Sequence, residues 1–217
     1  LVSVSDKTGV ISFCKFLEDN DVHILSTGGT ANILMDAGVK VTDVSDYTGF
    51  PEILDGRVKT LHPKIHAGIL GKRNHPKHIE LMNEQNILPI DLVIVNLYPF
   101  AKTIQDNADF DSCIENIDIG GPAMIRAAAK NHDDVVVAIN PEDYQKIKAE
   151  MLKHKGKTTS KFRLRLASQA YAHTANYDSI IAKWMSKDSP YPENYFISGI
   201  LQQKLRYGEN PHMSAAF

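Results

Sequence analysis

The sequence is poor in cysteine, with only Cys14 and Cys113 in 217 residues. Two thiols cannot build a disulfide scaffold or a four-thiolate zinc site, so a reducing, cytoplasmic setting is expected. No Asn-x-Ser/Thr sequon occurs. No uninterrupted apolar run approaches the roughly 18–20 residues of a membrane span, and the opening Leu1-Val-Ser-Val lacks the charged region of a signal peptide. Neither secretion nor membrane insertion is expected. A surplus of one charge is missing too. Twenty-four Lys and Arg stand against twenty-six Asp and Glu, a formal charge of −2, so no overall basic field exists to hold a nucleic-acid backbone. An anion must be bound locally.

What is present is ordinary for a globular protein: 43% apolar and 23% charged residues, thirteen Gly and ten Pro. The length suits one α/β domain, or one domain and a piece of another. Short β-branched runs alternate with helical patterns through the first 150 residues, the mark of a parallel sheet covered by helices. Strands are expected at Leu1–Val4, His23–Leu25, Val39–Val44, Ile90–Asn96 and Asp134–Ile139. Helices are expected at Val10–Asn20 and Thr30–Ala37, the latter closed by Gly38. Ser45–Lys59 is dense in turn formers and reads as a long irregular excursion. Pro99 should stop the fourth strand. A long helix is expected over Thr159–Lys187, its stripe of Phe162, Leu166, Ala170, Thr174, Tyr177, Ile181 and Trp184 packing on the domain's own core. Ser189–Glu193, with two prolines, is a linker candidate.

Several chemical-looking signals fail on spacing. Gly156-Lys157-Thr158 echoes the end of a P-loop, but Met151 stands where its first glycine belongs and no strand precedes it. His62 with His66, and His75 with His78, could each share a helical face. Pro63 and Pro76 interrupt those runs, however, and no third ligand accompanies them, so hydrogen-bonded or solvated histidines are expected. No Gly-x-Gly-x-x-Gly marks a dinucleotide site.

Five polar clusters remain, most of them at the carboxyl ends of expected strands, where open α/β sheets bind ligands. Ser5-Asp6-Lys7-Thr8-Gly9 and Ser26-Thr27-Gly28-Gly29-Thr30 each lead into a helix. They offer hydroxyls, backbone N–H groups and glycines that admit a phosphate, and Lys7 adds a full charge. Ser and Thr are also ordinary helix caps, but two such clusters at neighbouring strand ends favour phosphate. The third cluster, Asp55-Gly56-Arg57-Val58-Lys59-Thr60-Leu61-His62-Pro63, sets Arg57 and Lys59 two apart in the excursion. The fourth, Asn96-Leu97-Tyr98-Pro99-Phe100, places Asn96 and Tyr98 at the ligand crevice, although Tyr98 could equally be a packing aromatic. The fifth, Asn116-Ile117-Asp118-Ile119-Gly120-Gly121-Pro122, opens a helix with Lys130 near its far end. A straight helix would separate Pro122 from Lys130 by roughly 12 Å. Asp118 and Lys130 could therefore share a site only through a bend or a second subunit.

In this order the clusters, together with Asp46-Tyr-Thr-Gly-Phe-Pro-Glu52, Gly56-Arg-Val-Lys-Thr-Leu-His-Pro63 and Ala172-His-Thr-Ala-Asn-Tyr-Asp178, closely resemble the amino-terminal half of the bifunctional AICAR transformylase/IMP cyclohydrolase family of purine biosynthesis. The resemblance covers nearly the whole chain. It implies a three-layer α/β/α Rossmann-like, methylglyoxal-synthase-like domain with a mainly parallel five-stranded sheet, over residues 1–188. Residues 189–217 would be a linker and the truncated start of the transformylase domain. The implied activity is ring closure of FAICAR to IMP with loss of water, in a homodimer binding neither nucleic acid nor membrane. No cofactor is needed for that step; 10-formyltetrahydrofolate belongs to the transformylase half, whose activity is expected to be absent here.

The resemblance assigns Ser5, Asp6, Lys7 and Thr27, Gly28, Gly29, Thr30 to the ribose phosphate. Arg57, Val58, Lys59, Thr60, Val95, Asn96, Asp118 and Ile119 would surround the nucleotide. Lys130 matches the family's proton donor or acceptor, with Lys59, Tyr98 and Asp118 as catalytic companions. Arg206 and Tyr207, in Leu205-Arg-Tyr-Gly-Glu-Asn-Pro-His212, match residues that contact AICAR in the transformylase site. Met213 departs from the glutamine usual there. A nucleotide-sensing regulatory domain and methylglyoxal synthase are rivals on the same fold; the long Asn116–His132 segment argues against both.

Overall fold

The computed structural model describes residues 1–199, 203–206, 210, 212, 213 and 216. Leu1–Thr174 and Ala175–Phe217 form two compact units. The first is built on five parallel strands, β1 (Val2–Val4), β2 (Ile24–Ser26), β3 (Val41–Asp43), β4 (Leu92–Asn96) and β5 (Val136–Ala138), in the order β3-β2-β1-β4-β5. The expected α/β class and five-stranded sheet are borne out, here with every pairing parallel. Four strands are shorter than the runs that announced them, while β2 keeps three residues but lies one position later than expected, at Ile24–Ser26.

The chain first winds outward from β1 through α1 (Val10–Glu18) to β2 and through α2 (Gly28–Asp36) to β3. It then returns across the sheet to β4, and α8 (Gly120–Lys130) carries it on to β5. Right-handed crossovers put α1 and α2 on one face and α8 on the other. There α4 (Pro63–Leu70) packs against α8, while α9 (Glu142–Lys153) packs against α1. The winding reverses between β1 and β4, so the crevice beyond their carboxyl ends is the topological switch point of the fold. The register Val2↔Ile94, Ser3↔Val95, Val4↔Asn96 brings the residues following β1 beside those following β4.

The strands carry the core, with Val2, Val4, Val93, Ile94, Val95, Val136 and Val137 all buried. Phe13 and Leu17 of α1 and Met124 and Ile125 of α8 cover the two faces. In α10 (Ser160–Met185), Phe162, Leu166, Ala170, Thr174 and Tyr177 are buried as the stripe required, whereas Ile181 and Trp184 are only half-buried. No helix among the described residues is long and apolar enough to cross a membrane.

Two expectations need correcting. The excursion over Ser45–Lys59 begins with a helix, α3 (Val44–Thr48). The Asp43 carboxylate accepts from the Ser45 N–H at 2.7 Å, and Gly49, at φ 72°, ends the turn. A single turn is too short to show periodicity. Pro63 and Pro76 do not interrupt helices but begin them: each is the first helical residue, of α4 and of α5 (Pro76–Glu84). His62 and His75 are therefore caps. The Nδ1 of His62 accepts from the Lys64 N–H at 3.1 Å, and that of His78 from the Lys72 N–H at 3.2 Å. Gly156-Lys157-Thr158 lies between α9 and α10, not after a strand. Two short helices not foreseen, α6 (Phe100–Gln105) and α7 (Phe110–Glu115), join β4 to α8.

Candidate functional site

The polar residues converge on the switch point through one side chain. Asn96, the last residue of β4, accepts at Oδ1 from the Ser5 N–H (2.7 Å), the Ser5 hydroxyl (2.9 Å) and the Asp6 N–H (2.9 Å), and its Nδ2 donates to the Asp6 carbonyl at 3.1 Å. The Ser5 hydroxyl has one proton and shares it between the Asn96 Oδ1 and the Leu97 carbonyl, the latter at 2.8 Å. These bonds staple the first and fourth clusters together across ninety residues of sequence. The second cluster is tied in by Thr30, which accepts from the Val4 N–H (3.3 Å) and donates to the Val4 carbonyl (3.1 Å), and by Ser26, which donates to the Val2 carbonyl at 2.7 Å. Thr30 is thus an internal fastener, while Thr27, Gly28 and Gly29 form the open entrance of α2, two residues earlier than the sequence pattern indicated.

Within the first cluster the Asp6 carboxylate accepts from the Thr8 N–H at 2.9 Å, and hydrogen bonds from Thr8 hold its carboxyl below the usual 3.8. The Lys7 ammonium bends back to donate to the Val4 carbonyl. Partial burial pushes its pKa down, opposed by the neighbouring Asp6 charge.

The third cluster reaches both helix entrances. The Lys59 Nζ forms an ion pair with Glu52 at 3.1 Å and lies 3.5 Å from where a Cβ on Gly28 would stand. The buried Thr60 lies 3.0 Å from where a Cβ on Gly120 would stand, at the entrance of α8. Successive residues therefore bridge α2 and α8. Arg57 turns away to Glu115 on α7, at 2.9 Å, with 63% of its side chain exposed. Val58 is half-buried and paired with Ile53.

In the fifth cluster Asp118 accepts from the Gly121 N–H at 2.7 Å and from the Tyr98 N–H. Burial nevertheless outweighs these bonds and pushes its pKa up. Tyr98 and Ile119 are exposed, and the buried side chain of Val95 belongs to the core, leaving only its backbone for a ligand.

Lys130 stands apart. It is the exposed last residue of α8, whose eleven residues hold it about 16 Å from the helix entrance where Asp118 sits. One chain does not bring the two together. Arg206 is exposed in the second unit, and Tyr207 lies outside the described residues.

A cavity of about 280 Å³ opens beside these groups, lined by Thr27, Gly28, Asn32, Asp43, Glu52 and Lys59, among others. Asn32, Asp43 and Glu52 were not singled out from the sequence. Glu52 ends the quoted Asp46–Glu52 segment, but only the turn that follows shows that it faces Lys59. A larger cavity, about 840 Å³, lies at the opposite edge, by the amino ends of the strands at Leu1, His23, Asp91 and Val136, with a mainly apolar lining. Among the described residues no group of three or more His, Cys, Asp or Glu could hold a metal ion.

Residues 9–123 match the family described as the MGS-like domain. The chain belongs to that family. Residues 128–217 of this MGS-like protein match the family described as the AICARFT/IMPCHase bienzyme. Its whole length is 56% identical, over 219 residues, to the bifunctional purine biosynthesis proteins PurH of Rhodospirillum rubrum and Bradyrhizobium diazoefficiens, and 52% identical over 220 residues to that of Persephonella marina. It spans 41–42% of the length of those relatives and corresponds to their N-terminal part. The resemblance read from the clusters is thus borne out. A solved structure described as the crystal structure of ForH is 34% identical with a TM-score of 0.74, over 85% of this chain and 96% of that one.

Proposed function

We propose that the MGS-like domain is an IMP cyclohydrolase, a hydrolase acting on a cyclic amidine, that closes FAICAR to IMP. Residues 1–188 would form the catalytic domain and 189–217 the linker and start of a transformylase half. The observation that carries the reading is the convergence of a phosphate-type cradle, Lys59 and the half-buried Asp118 carboxylate on one switch-point crevice through Asn96 and the Lys59–Thr60 bridge. The whole-length likeness to PurH proteins supports it.

The carboxamide nitrogen of FAICAR attacks the formyl carbon, a C–N bond forms, and water leaves with the formyl oxygen and one hydrogen from each nitrogen. No electrons pass to a carrier. Such a step needs orientation, proton transfer and charge stabilisation, which side chains provide without a cofactor. Ser5, Lys7 and the α2 entrance hold the ribose phosphate. Lys7 must first release the Val4 carbonyl, exchanging one acceptor for a charged one. Asp118 accepts from the carboxamide N–H and aims its nitrogen. Lys59 and Lys130 donate to the formyl oxygen as it gains charge and leaves. Because α8 separates Lys130 from Asp118, this role falls to Lys130 of a second copy in a homodimer. Formyl transfer with 10-formyltetrahydrofolate is assigned to the remainder of the longer relatives, and the compartment is the cytoplasm, in keeping with two free buried thiols.

The test is direct: the purified chain is mixed with FAICAR, the absorbance is followed in the ultraviolet, and the product is identified as IMP. Failure to form IMP faster than buffer does overturns the reading.

A further inference from the structure

Between Glu52 and Lys59 the chain makes a tight reversal. Ile53 and Val58 pair as an antiparallel bridge, with N–H to carbonyl distances of 3.2 and 3.3 Å in the two directions. The turn between them runs through three successive left-handed residues, Leu54 (φ 54°), Asp55 (φ 52°) and Gly56 (φ 87°). Two of these are not glycine, a conformation that side chains rarely adopt and that the surrounding hydrogen bonds must hold. The Gly56 N–H donates to the Ile53 carbonyl at 3.2 Å and the Arg57 N–H to that of Leu54 at 3.0 Å. The outcome of this local cost is a cross-strand pair. Residues 52 and 59 are the next in register beyond the 53–58 bridge, so their side chains are neighbours.

That pair folds over the turn instead of extending into solvent. A Cβ on Gly56 would stand 2.5 Å from the Glu52 Oε1, 2.8 Å from the Lys59 Cε and 2.9 Å from its Nζ, so a side chain there would push the two flexible chain ends aside. The ammonium is thereby delivered to the first residue of α2, Gly28, itself left-handed at φ 55°. Both partners line the same cavity as Thr27 and Gly28. Half-exposed ion pairs contribute little to folding, and here 30% of the Lys59 side chain and 41% of the Glu52 side chain remain exposed. The strained turn is therefore out of proportion to any stability the pair returns, and what it achieves is placement.

We propose that Glu52 is a positioning residue that holds the Lys59 ammonium at the entrance of α2 and, by its own negative charge, restrains how tightly that entrance takes a phosphate monoester. The proposal deepens the cyclohydrolase reading and, for its turnover arm, rests on it. Glu52 touches no reacting atom. It keeps Lys59 directed while the cradle fills, and its charge keeps the bound monophosphate from being held too firmly for release.

The test uses the full chain carrying Glu52→Gln, with Glu52→Asp, Lys59→Met and the Glu52→Gln/Lys59→Met pair. IMP affinity is measured by calorimetry and FAICAR closure by absorbance. Removing one negative charge beside the anion should tighten IMP binding by about three- to tenfold at low salt. Loss of Lys59 placement should at the same time lower kcat by roughly tenfold or more. The two changes have opposite signs, whereas a merely structural role lowers affinity and turnover together. In the Lys59→Met background the kcat effect of Glu52→Gln should vanish. Glu52→Asp, which keeps the charge, should keep the parent IMP affinity. An unchanged kcat, or parallel loss of binding and turnover with a lowered melting temperature, overturns the proposal. If the parent chain binds IMP but closes no FAICAR, the functional reading fails, and the positioning proposal then stands or falls on whether Glu52→Gln tightens IMP.

Discussion

Replacing Asn96 by Ala removes the staple that joins the strand ends at the switch point. Four hydrogen bonds go, three accepted at 2.7, 2.9 and 2.9 Å and one donated at 3.1 Å. The Ser5 hydroxyl keeps its bond to the Leu97 carbonyl, so the groups left without their partner are the Ser5 and Asp6 N–H and the Asp6 carbonyl. Water can reach Asp6, which is exposed, and that reduces the loss. At about 0.5–1.5 kcal/mol net per bond, discounted for this access, the variant should lose about 2–3 kcal/mol of folding stability. For a domain of this size that is a fall in melting temperature of roughly 5–10 °C, read by circular dichroism. Asn96→Asp separates the two functions of the side chain. It still accepts three bonds but cannot donate the fourth, and it places a negative charge at the cradle. It should melt closer to the parent yet bind IMP less tightly than the parent does. If Asn96→Ala melts within about 1 °C of the parent and binds IMP unchanged, the staple contributes nothing and the reasoning from its geometry is wrong.

Lys130→Ala should lose most of its FAICAR turnover while retaining IMP affinity, whereas Lys7→Ala should chiefly weaken IMP binding; an unmodified rate in the first or an unmodified affinity in the second refutes the assigned role. Gly121→Ala places a Cβ 2.4 Å from the Asp118 Oδ2 and 2.7 Å from the Leu97 Cδ2, and such overpacking should cost about 1–3 kcal/mol in a denaturant melt. Gly29→Ala, with nothing within 4 Å of the added carbon, is the matched control and should match or exceed the parent's stability. Burial raises the Asp118 pKa above its ordinary 3.8, so the folded chain holds this proton more tightly than the unfolded one. Its contribution to stability is complete in acid below that ordinary value and is lost as the pH rises through the folded pKa. Asp118→Asn should therefore gain stability relative to the parent as the pH is raised from about 4 to 7, measured by urea unfolding across that range. A pH-independent difference would show that burial does not raise the pKa of this carboxyl.

Much of this protein is written in short stretches of its sequence. The run Leu92–Asn96 with Pro99 beyond it, the Ser/Thr/Gly clusters after β1 and β2, and the stripe from Phe162 to Tyr177 each report on residues a few positions apart. Periodicity and turn chemistry operate at that range. The parallel class of the sheet and the location of the polar clusters follow from these stretches, and their order along the chain carried the family resemblance. The single turn of α3 and the helix starts at Pro63 and Pro76 are not legible at that range: one turn shows no period, and a proline that begins a helix and one that breaks it look alike until the preceding backbone is seen to be extended.

What tertiary structure alone decided are the pairings between distant segments. Asn96 meets Ser5 and Asp6 only because β4 lies beside β1 in a defined register, and Thr60 meets Gly120 only because the excursion crosses to the mouth of α8. Glu52 faces Lys59 only because three left-handed residues reverse the chain between them. Lys130 stands at the wrong end of α8 to join Asp118 in the same chain, a consequence of helix rise that the sequence already contained as arithmetic and the fold made definite. Residue types and local spacing determine which chemistry a segment can offer. Which of those groups share a pocket depends on sheet order and chain reversal, because contacts across ninety residues leave no trace in the pattern of any one segment.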